Sequence, residues 1–251
     1  MQRTLFGMVL LALACSSANA ALLSRLSGQA YYDDVLDITW IADANLADTT
    51  TFGVLGINAN GSMNWAKSNE WIAAMNTAAY LGKSDWRLPT VGPLNGSNFN
   101  YSPSYNGSTD FGYNQSEQGT AYAGSTGSEM AHLFYNTLNN KGFCDPLSST
   151  ADICVLSQAD VGLSNAGPFS NLQTGSPYWF GTEYAPVTSR AWIFFFGAGD
   201  QSYSDKPSTL SAWAVRPGDI APVPVPGAVW LFGGALTLLG AVRRRAMTTL
   251  G

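Results

Sequence analysis

The sequence predicts an α+β domain, and three observations carry that expectation. A hairpin-like run at Gln29 to Ile41 and a last apolar run at Ser211 to Pro217 bracket two helical patterns. The segment after Pro177 is rich in strand-forming aromatics. Between the helices, Gly82 to Thr90 (GKSDWRLPT) stops one helical pattern and starts a long Gly-, Ser- and Asn-rich excursion. The 251 residues, 46% of them hydrophobic, suffice for one large domain or two small ones with a real core. Charged residues make up only 12%, so Asn, Ser, Thr, Gly and aromatics must build the surface, as in extracellular proteins.

Both ends read as addresses. Residues 1–20 have Arg3, an apolar run from Leu5 to Ala14 and the small-x-small site Ala18-Asn19-Ala20, a secretory signal cut by signal peptidase after Ala20. Cys15 is not set up as a lipoprotein acceptor, because Ala12 stands where a branched apolar residue is wanted. At the other end, 220–226 is a stiff Pro-rich linker and 227–245 an apolar stretch closed by Arg243, Arg244 and Arg245. The run from Val225 to Val242 just suffices to cross a bilayer, and the arginines hold 246–251 in the cytoplasm. Pro224-Val225-Pro226, the helix containing Trp230-Leu231-Phe232-Gly233 and the Arg cluster together resemble a PEP-CTERM sorting tail of the Val-Pro-Leu-Pro-Ala variant. This chain has Val225 and Gly227 where such tails carry Glu and Ala. The resemblance implies an exosortase-type processing enzyme as partner and a passage through the inner membrane, anchored or transient, to the cell surface or matrix.

The domain left between the ends, 21–219, is acidic. All 17 Asp and Glu lie there against eight of the 12 Lys and Arg, a balance of −9. Such a surface repels phosphate backbones, which argues against nucleic acid as a partner. Cys144 and Cys154 remain, and in an exported chain such a pair most simply closes a local disulfide. With one histidine there is no zinc set.

Taken in order, Gln29 to Ile41 forms a hairpin turning at Asp33-Asp34, with Ile38 and Trp40 on one face. Asp33, Asp34 and Asp37 would suit structural calcium, although turn carboxylates are more often solvated. Asn64 to Tyr80 is a helix with Trp65, Ile72, Met75 and Ala79 on its core stripe, Trp71 beside it, and Gly82 as its left-handed end. In the next stretch, Asp85, Trp86, Arg87, Leu88 and Pro89 fix a turn against the core. Thr126 opens a second helix with Glu129 as its capping-box partner; Met130, Leu133, Phe134 and Leu138 are buried, Gly142 follows the last turn, and His132 falls at the boundary. The excursion 91–125 spaces Tyr101, Tyr105, Tyr113 and Tyr122 among small polar residues, as binding loops do. Tyr178 to Phe180 and Ala191 to Phe196 are too continuously apolar for half-exposed strands, so both read as central; Gly197 to Asp200 turns, and Gln201 to Pro207 returns.

A second resemblance covers nearly all of the domain. Asp37-Ile38-Thr39-Trp40 with Asp43-Ala44-Asn45, Asp85-Trp86-Arg87-Leu88-Pro89-Thr90, Gly127-Ser128-Glu129-Met130, Tyr178-Trp179 with Gly181-Thr182-Glu183-Tyr184, Ala191-Trp192, and Ala212 to Asp219 resemble the Lcl C-terminal domain family. That family is similar in fold to C-type-lectin-like and formylglycine-generating domains, which implies two helices and a twisted antiparallel sheet joining the chain ends. It also implies surface recognition, with sulfated polysaccharide the family precedent in a collagen-like adhesin.

For this chain a neutral glycan fits the charge better, because only Lys83, Arg87, Arg190, Lys206 and Arg216 lie near the motifs. The candidate ligand residues are Trp179, Glu183, Tyr184, Trp192 and the four loop tyrosines, since an aromatic face stacks on a sugar ring while carboxylates and phenols bond its hydroxyls. The expectation is an exported, non-catalytic module for glycan or matrix, without cofactor. The alternatives are an extracellular enzyme, for which Glu183 with Asp200 or Asp205 would supply a carboxylate pair, and a structural matrix protein. Formylglycine-type chemistry would need cysteines in the closing strands, whereas Cys144 and Cys154 come earlier.

Overall fold

The computed structural model describes residues 22–156 and 160–220. The signal segment and the sorting motif, apolar span and Arg cluster lie outside the described residues. Among the described residues no helix is long and apolar enough to cross a membrane. The chain divides after Asp219, and the second unit, Ile220–Gly251, is described only at Ile220.

Two sheets and two helices make a mixed α+β architecture. The first sheet has the order β1 (Leu22–Arg25), β2 (Ala30–Asp33), β3 (Ile38–Ile41), β9 (Val215–Pro217), antiparallel throughout. The expected hairpin is β2–β3; β1, which alternation did not reveal, pairs in front of it. Asp33 makes the turn, its Oδ1 accepting from the amides of Val35 (3.1 Å) and Leu36 (3.0 Å), and Asp37 takes a left-handed φ of 50°. These carboxylates are thus already engaged: Asp33 Oδ2 accepts from Thr137 Oγ1, and Asp37 from the Tyr32 hydroxyl. Arg25 and Asp219 pair at 2.7 Å, so the two ends of the domain close on each other.

The second sheet has the order β4 (Pro103–Ser104), β5 (Phe111–Tyr113), β8 (Asp200–Asp205), β7 (Arg190–Phe195), β6 (Tyr178–Glu183). β7 is central as its apolar run requires. β6 is not: it lies at the sheet edge, buried because Ser211 covers it through Trp179 N to Ser211 O and Ser211 N to Pro177 O, both 3.0 Å. The excursion 91–125 is no free loop, since β4 and β5 join the sheet and Asp110, Asn114, Gln115 and Ser116 are buried. The sheets meet at Trp213, whose ring centroid lies 4.6 Å from Trp40 and 4.8 Å from Phe169, and 6.0 Å from Tyr178.

Helix α1 (Trp65–Thr77) starts where Asn64 Oδ1 accepts from Lys67 N at 2.9 Å. Its buried stripe is Ser68, Trp71, Ile72 and Met75, at i, i+3, i+4, i+7 spacing. Trp65 is only half-buried and Ala79 exposed, because the helix ends sooner than periodicity suggests. The left-handed residue that ends it is Ala79 (φ 48°); Gly82 (φ 72°) closes a following short turn. Helix α2 (Glu129–His132) runs into a π-helical turn, Leu133–Thr137, and its cap is Ser128, not Thr126: Ser128 Oγ accepts from Ala131 N, and no capping box forms because Arg87 takes the Glu129 carboxylate. Asn139 (φ 54°), not Gly142, supplies the left-handed end. Met130, Leu133, Phe134 and Leu138 are buried as expected. His132 is buried too, contrary to its predicted boundary position, because the segment ending at Ser125 lies against it; its Nδ1 is 3.2 Å from Ser125 O and burial lowers its pKa.

The stretch Asp85 to Thr90 ties these pieces together. Arg87 and Val215 exchange both backbone hydrogen bonds (2.7 and 2.9 Å), joining it to β9. Asn76 on α1 accepts from Trp86 N and donates to Trp86 O, each at 2.8 Å. The Arg87 guanidinium forks onto Glu129 of α2 at 2.6 and 2.8 Å, and Glu129 also accepts from Thr90 N at 2.7 Å. Asp85 holds Arg216 through two 2.8 Å bonds, a contact that depresses the Asp85 carboxyl. Pro89 O accepts from Gly181 N of β6 at 2.8 Å. Glu129 is buried whereas the Asp85 side chain is 45% exposed, so the two pairs differ in worth. Glu129→Ala, which strands Arg87 and the Thr90 amide, is expected to cost about 3 kcal/mol in denaturant unfolding, and Asp85→Ala about 1 kcal/mol. Equal costs would contradict this ranking.

Candidate functional site

Strand register decides which predicted ligand residues reach the surface. Tyr178 opposes Phe194 and Trp179 opposes Ile193, so Trp179 and Trp192 point to opposite faces of the second sheet. Both are completely buried. Trp179 donates from Nε1 to Met63 O at 3.0 Å, a core bond. Neither indole offers a face to a ligand, and the direct stacking role expected of them is corrected to support of the core.

Above Trp192, however, a group of rings reaches solvent. Phe99 and Tyr101, on the strap before β4, lie nearly parallel to the Trp192 ring at 5.8 and 6.1 Å, with interplanar angles of 23° and 21°. Tyr184 stands edge-on to Trp192 (5.0 Å) and to Tyr101 (5.3 Å) and meets Tyr203 at 4.4 Å. Tyr203 is opposite Trp192 in the β7–β8 register and therefore on its face. Phe99, Tyr101 and Tyr203 are half-exposed, whereas Tyr184 is buried beneath them. The Arg190 guanidinium lies 4.5 Å above the Tyr203 ring and bonds Asp205 at 2.9 Å. Burial, then the Tyr203 and Tyr101 phenols, raises the Tyr184 pKa, so its hydroxyl stays a neutral donor.

The other predicted residues scatter. Glu183 is exposed and paired with Lys206, whose ammonium sits 4.4 Å over Trp65. Tyr105 and Tyr113 stack on each other at 6.0 Å, with Phe143 beyond, beside the disulfide loop. Tyr122 lines an open cleft of about 490 Å³ walled by 93–96 and 122–127. Thus Tyr101, Tyr184 and the buried Trp192 come together, while Glu183, Tyr105, Tyr113 and Tyr122 do not join them. Phe99 and Tyr203 went unnoticed in the sequence; the alternation Gln201, Tyr203, Asp205 on a returning strand was the signal for Tyr203.

The remaining predicted pairings are structural. Cys144 and Cys154 are bridged, with Cα atoms 5.2 Å apart. Of the five basic residues near the motifs, Arg87, Arg190, Lys206 and Arg216 all face carboxylates. Among the described residues no group of three His, Cys, Asp or Glu side chains is placed to hold a metal.

The six ordered motifs and this scaffold agree with the comparison to known families. The family described as Lcl C-terminal domain matches residues 29–216. The chain belongs to the Lcl C-terminal domain family. No curated protein matches the chain. The matched span runs from the residue before β2 to β9, so every element of the Lcl C-terminal domain described above falls inside it except β1 and the end of β9.

Asp200 is set apart by its surroundings, as is Glu117, whose carboxyl burial raises to about 8. Burial alone raises Asp200, on β8 opposite Tyr113, to about 7. An acid whose folded pKa lies above its unfolded value near about 4 favours folding below that value and loses this contribution as pH rises through the folded pKa. The Asp200 contribution to stability is therefore expected to fall between about pH 4 and pH 7, by on the order of 4 kcal/mol. Asp200→Asn should flatten that slope and raise the melting temperature at pH 8. An unchanged slope in thermal melts would remove Asp200 as its source.

Proposed function

We propose that this protein is an exported, surface-sorted recognition module that binds neutral glycan, without catalysis, on the aromatic group formed by Phe99, Tyr101, Tyr184 and Tyr203. The observation that carries the reading is the half-exposed stack of rings on a rigid strand floor. Flat apolar faces with phenol hydroxyls and the Arg190–Asp205 pair at the rim offer what a pyranose needs: a surface for its C–H face and polar partners for its hydroxyls. Pairing of four cations with carboxylates leaves little for a sulfated polyanion, in line with the balance of −9.

On this reading the fold is C-type-lectin-like, consistent with closure of the chain ends through β1, β3 and β9. The disulfide supports delivery to an oxidising compartment. The N-terminal signal, the Pro-rich motif at 224–226 and the arginines at 243–245 make signal peptidase and an exosortase-type enzyme its processing partners, with the inner membrane as a stage on the route to the surface.

Binding of the purified protein to an array of neutral, acidic and sulfated glycans tests the proposal. Neutral glycans should be retained, and Tyr101→Ala and Tyr203→Ala should each weaken binding about tenfold with little change in melting temperature. No retained neutral glycan, or undiminished binding by the double variant, would sink it. Turnover of a bound glycan, lost in Glu183→Gln, would favour an enzyme instead.

A further inference from the structure

The open cleft walled by 93–96 and 122–127 lies beside the aromatic group, and the same elements build both. The Asp110 carboxylate holds the two ends of the strap between them. One of its oxygens accepts from Leu94 N, in the cleft wall, and the other from Asn100 N, between Phe99 and Tyr101, each at 2.6 Å. Strand register puts cleft and rings on one side of the second sheet. Tyr203 opposes Trp192 and Gln201 opposes Phe194, so Gln201 lies on the ring face, next along β8 from Tyr203 on that face. From there Gln201 Oε1 accepts from Ser128 Oγ, beside the cleft residue Gly127, and Gln201 Nε2 donates to Asp110 O at 2.7 Å.

The cleft is held in shape by its own hydrogen bonds. Ser125 Oγ donates to Leu94 O at 2.8 Å and Gly92 N donates to Gly127 O at 2.6 Å, so the two walls are tied together. Gly127 is required there, because a Cβ would come within 2.7 Å of Pro93 O. Bonds from Gly124 N to Ser116 O and from Ser125 N to Tyr122 O, at 2.8 and 3.0 Å, fix the second wall. The buried His132 ring backs it, with Nδ1 3.2 Å from Ser125 O. Such a site meets a ligand without first paying to be ordered.

Its chemistry suits a neutral, hydroxyl-rich ligand. Among the described residues that line it there is no Asp, Glu, Lys, Arg or His, and the aromatic side chain is the half-exposed Tyr122. Tyr122 and the exposed Thr126 contribute hydroxyls, and Asn95 uses its side-chain oxygen on the amides of Ser97 (2.8 Å) and Asn98 (3.0 Å), which leaves its NH2 for a ligand. An ionic ligand would find no counter-charge here, whereas a pyranose takes an aromatic face with hydroxyl and amide partners. The volume of about 490 Å³ lies in the range of small-ligand sites.

We infer that the cleft is a second subsite of the glycan site, so that the ligand is an oligosaccharide chain and not a single sugar. One unit rests on Phe99, Tyr101 and Tyr203, and a later unit of the same chain occupies the cleft against Tyr122, Asn95 and Thr126. This rests on the aromatic group being the first subsite. The exposed tip of the strap, Gly96-Ser97-Asn98, separates the two and carries only short side chains. A unit held on the rings confines the next units to the neighbourhood of the cleft, so the second contact forms at high effective concentration and affinity depends on chain length.

Cello-oligosaccharides and N-acetylated chito-oligosaccharides, each from monosaccharide to hexasaccharide, are titrated calorimetrically into the purified protein with its disulfide intact. In a series that binds, the hexasaccharide should bind at least about tenfold more tightly than the monosaccharide, Tyr122→Ala should abolish that gain, and Tyr101→Ala should weaken every length. Thr126→Ala, at an exposed position, carries the same test if Tyr122→Ala lowers the melting temperature. Equal affinity for short and long chains, lost in Tyr101→Ala, would overturn the second subsite and leave the aromatic site standing. So would a length dependence that Tyr122→Ala and Thr126→Ala both leave unchanged. Binding of neither series would also overturn the inference, while the glycan array judges the aromatic site independently.

Discussion

The forked ion pair between Arg87 and Glu129 is the contact on which the rest of the domain depends. It is small in area, yet it joins three segments far apart in sequence: the turn after α1, the start of α2 and, through the Arg87–Val215 backbone exchange, the closing strand. A buried carboxylate is tolerable only when its lone pairs are filled, and Glu129 fills them with the guanidinium and the Thr90 amide. The same demand costs α2 its expected capping box, so the helix is capped by Ser128 instead. One electrostatic requirement thus sets the helix start, the turn geometry and the attachment of β9.

From that frame the aromatic surface follows. Pro89 O pins Gly181, and Thr182 Oγ1 exchanges hydrogen bonds with the Val91 amide and carbonyl, which fixes β6 beside β7. β7 then presents Trp192 to one face, and the strap carrying Phe99 and Tyr101 is laid over it by Asp110, whose two oxygens accept from Leu94 N and Asn100 N at 2.6 Å each. Trp192 is a floor and not a contact, and its worth to recognition lies in keeping the outer rings flat and in place.

Elements whose signal is local were legible in the sequence. The β2–β3 hairpin, the α1 stripe at Trp71, Ile72 and Met75, the apolar β7 and the disulfide all follow from period, turn chemistry or compartment. So was the structural character of the Asp85 to Pro89 corner. What was hidden depends on partners distant in the chain. The sequence around Thr126 and Glu129 satisfies the capping-box pattern, and only Arg87, 42 residues earlier, diverts the carboxylate. His132 looks like a boundary residue on a helical wheel, but the 116–125 turn covers it. Trp179 and Trp192 resemble sugar platforms by type, and strand register buries both. Alternation on the returning strand marks Tyr203, but Phe99 and Tyr101 meet it only because the strap is laid over that strand, which no spacing announces.

Residue-resolved amide hydrogen exchange of the native protein tests most directly the claim that the Asp85 to Thr90 stretch holds the domain together. The amides of Arg87, Thr90, Gly181 and Val215 should exchange only through global unfolding, with the same free energy as the central amides of β7. Faster exchange of these four through a local opening that leaves β7 protected would show the stretch to be a passenger on the fold and contradict the account.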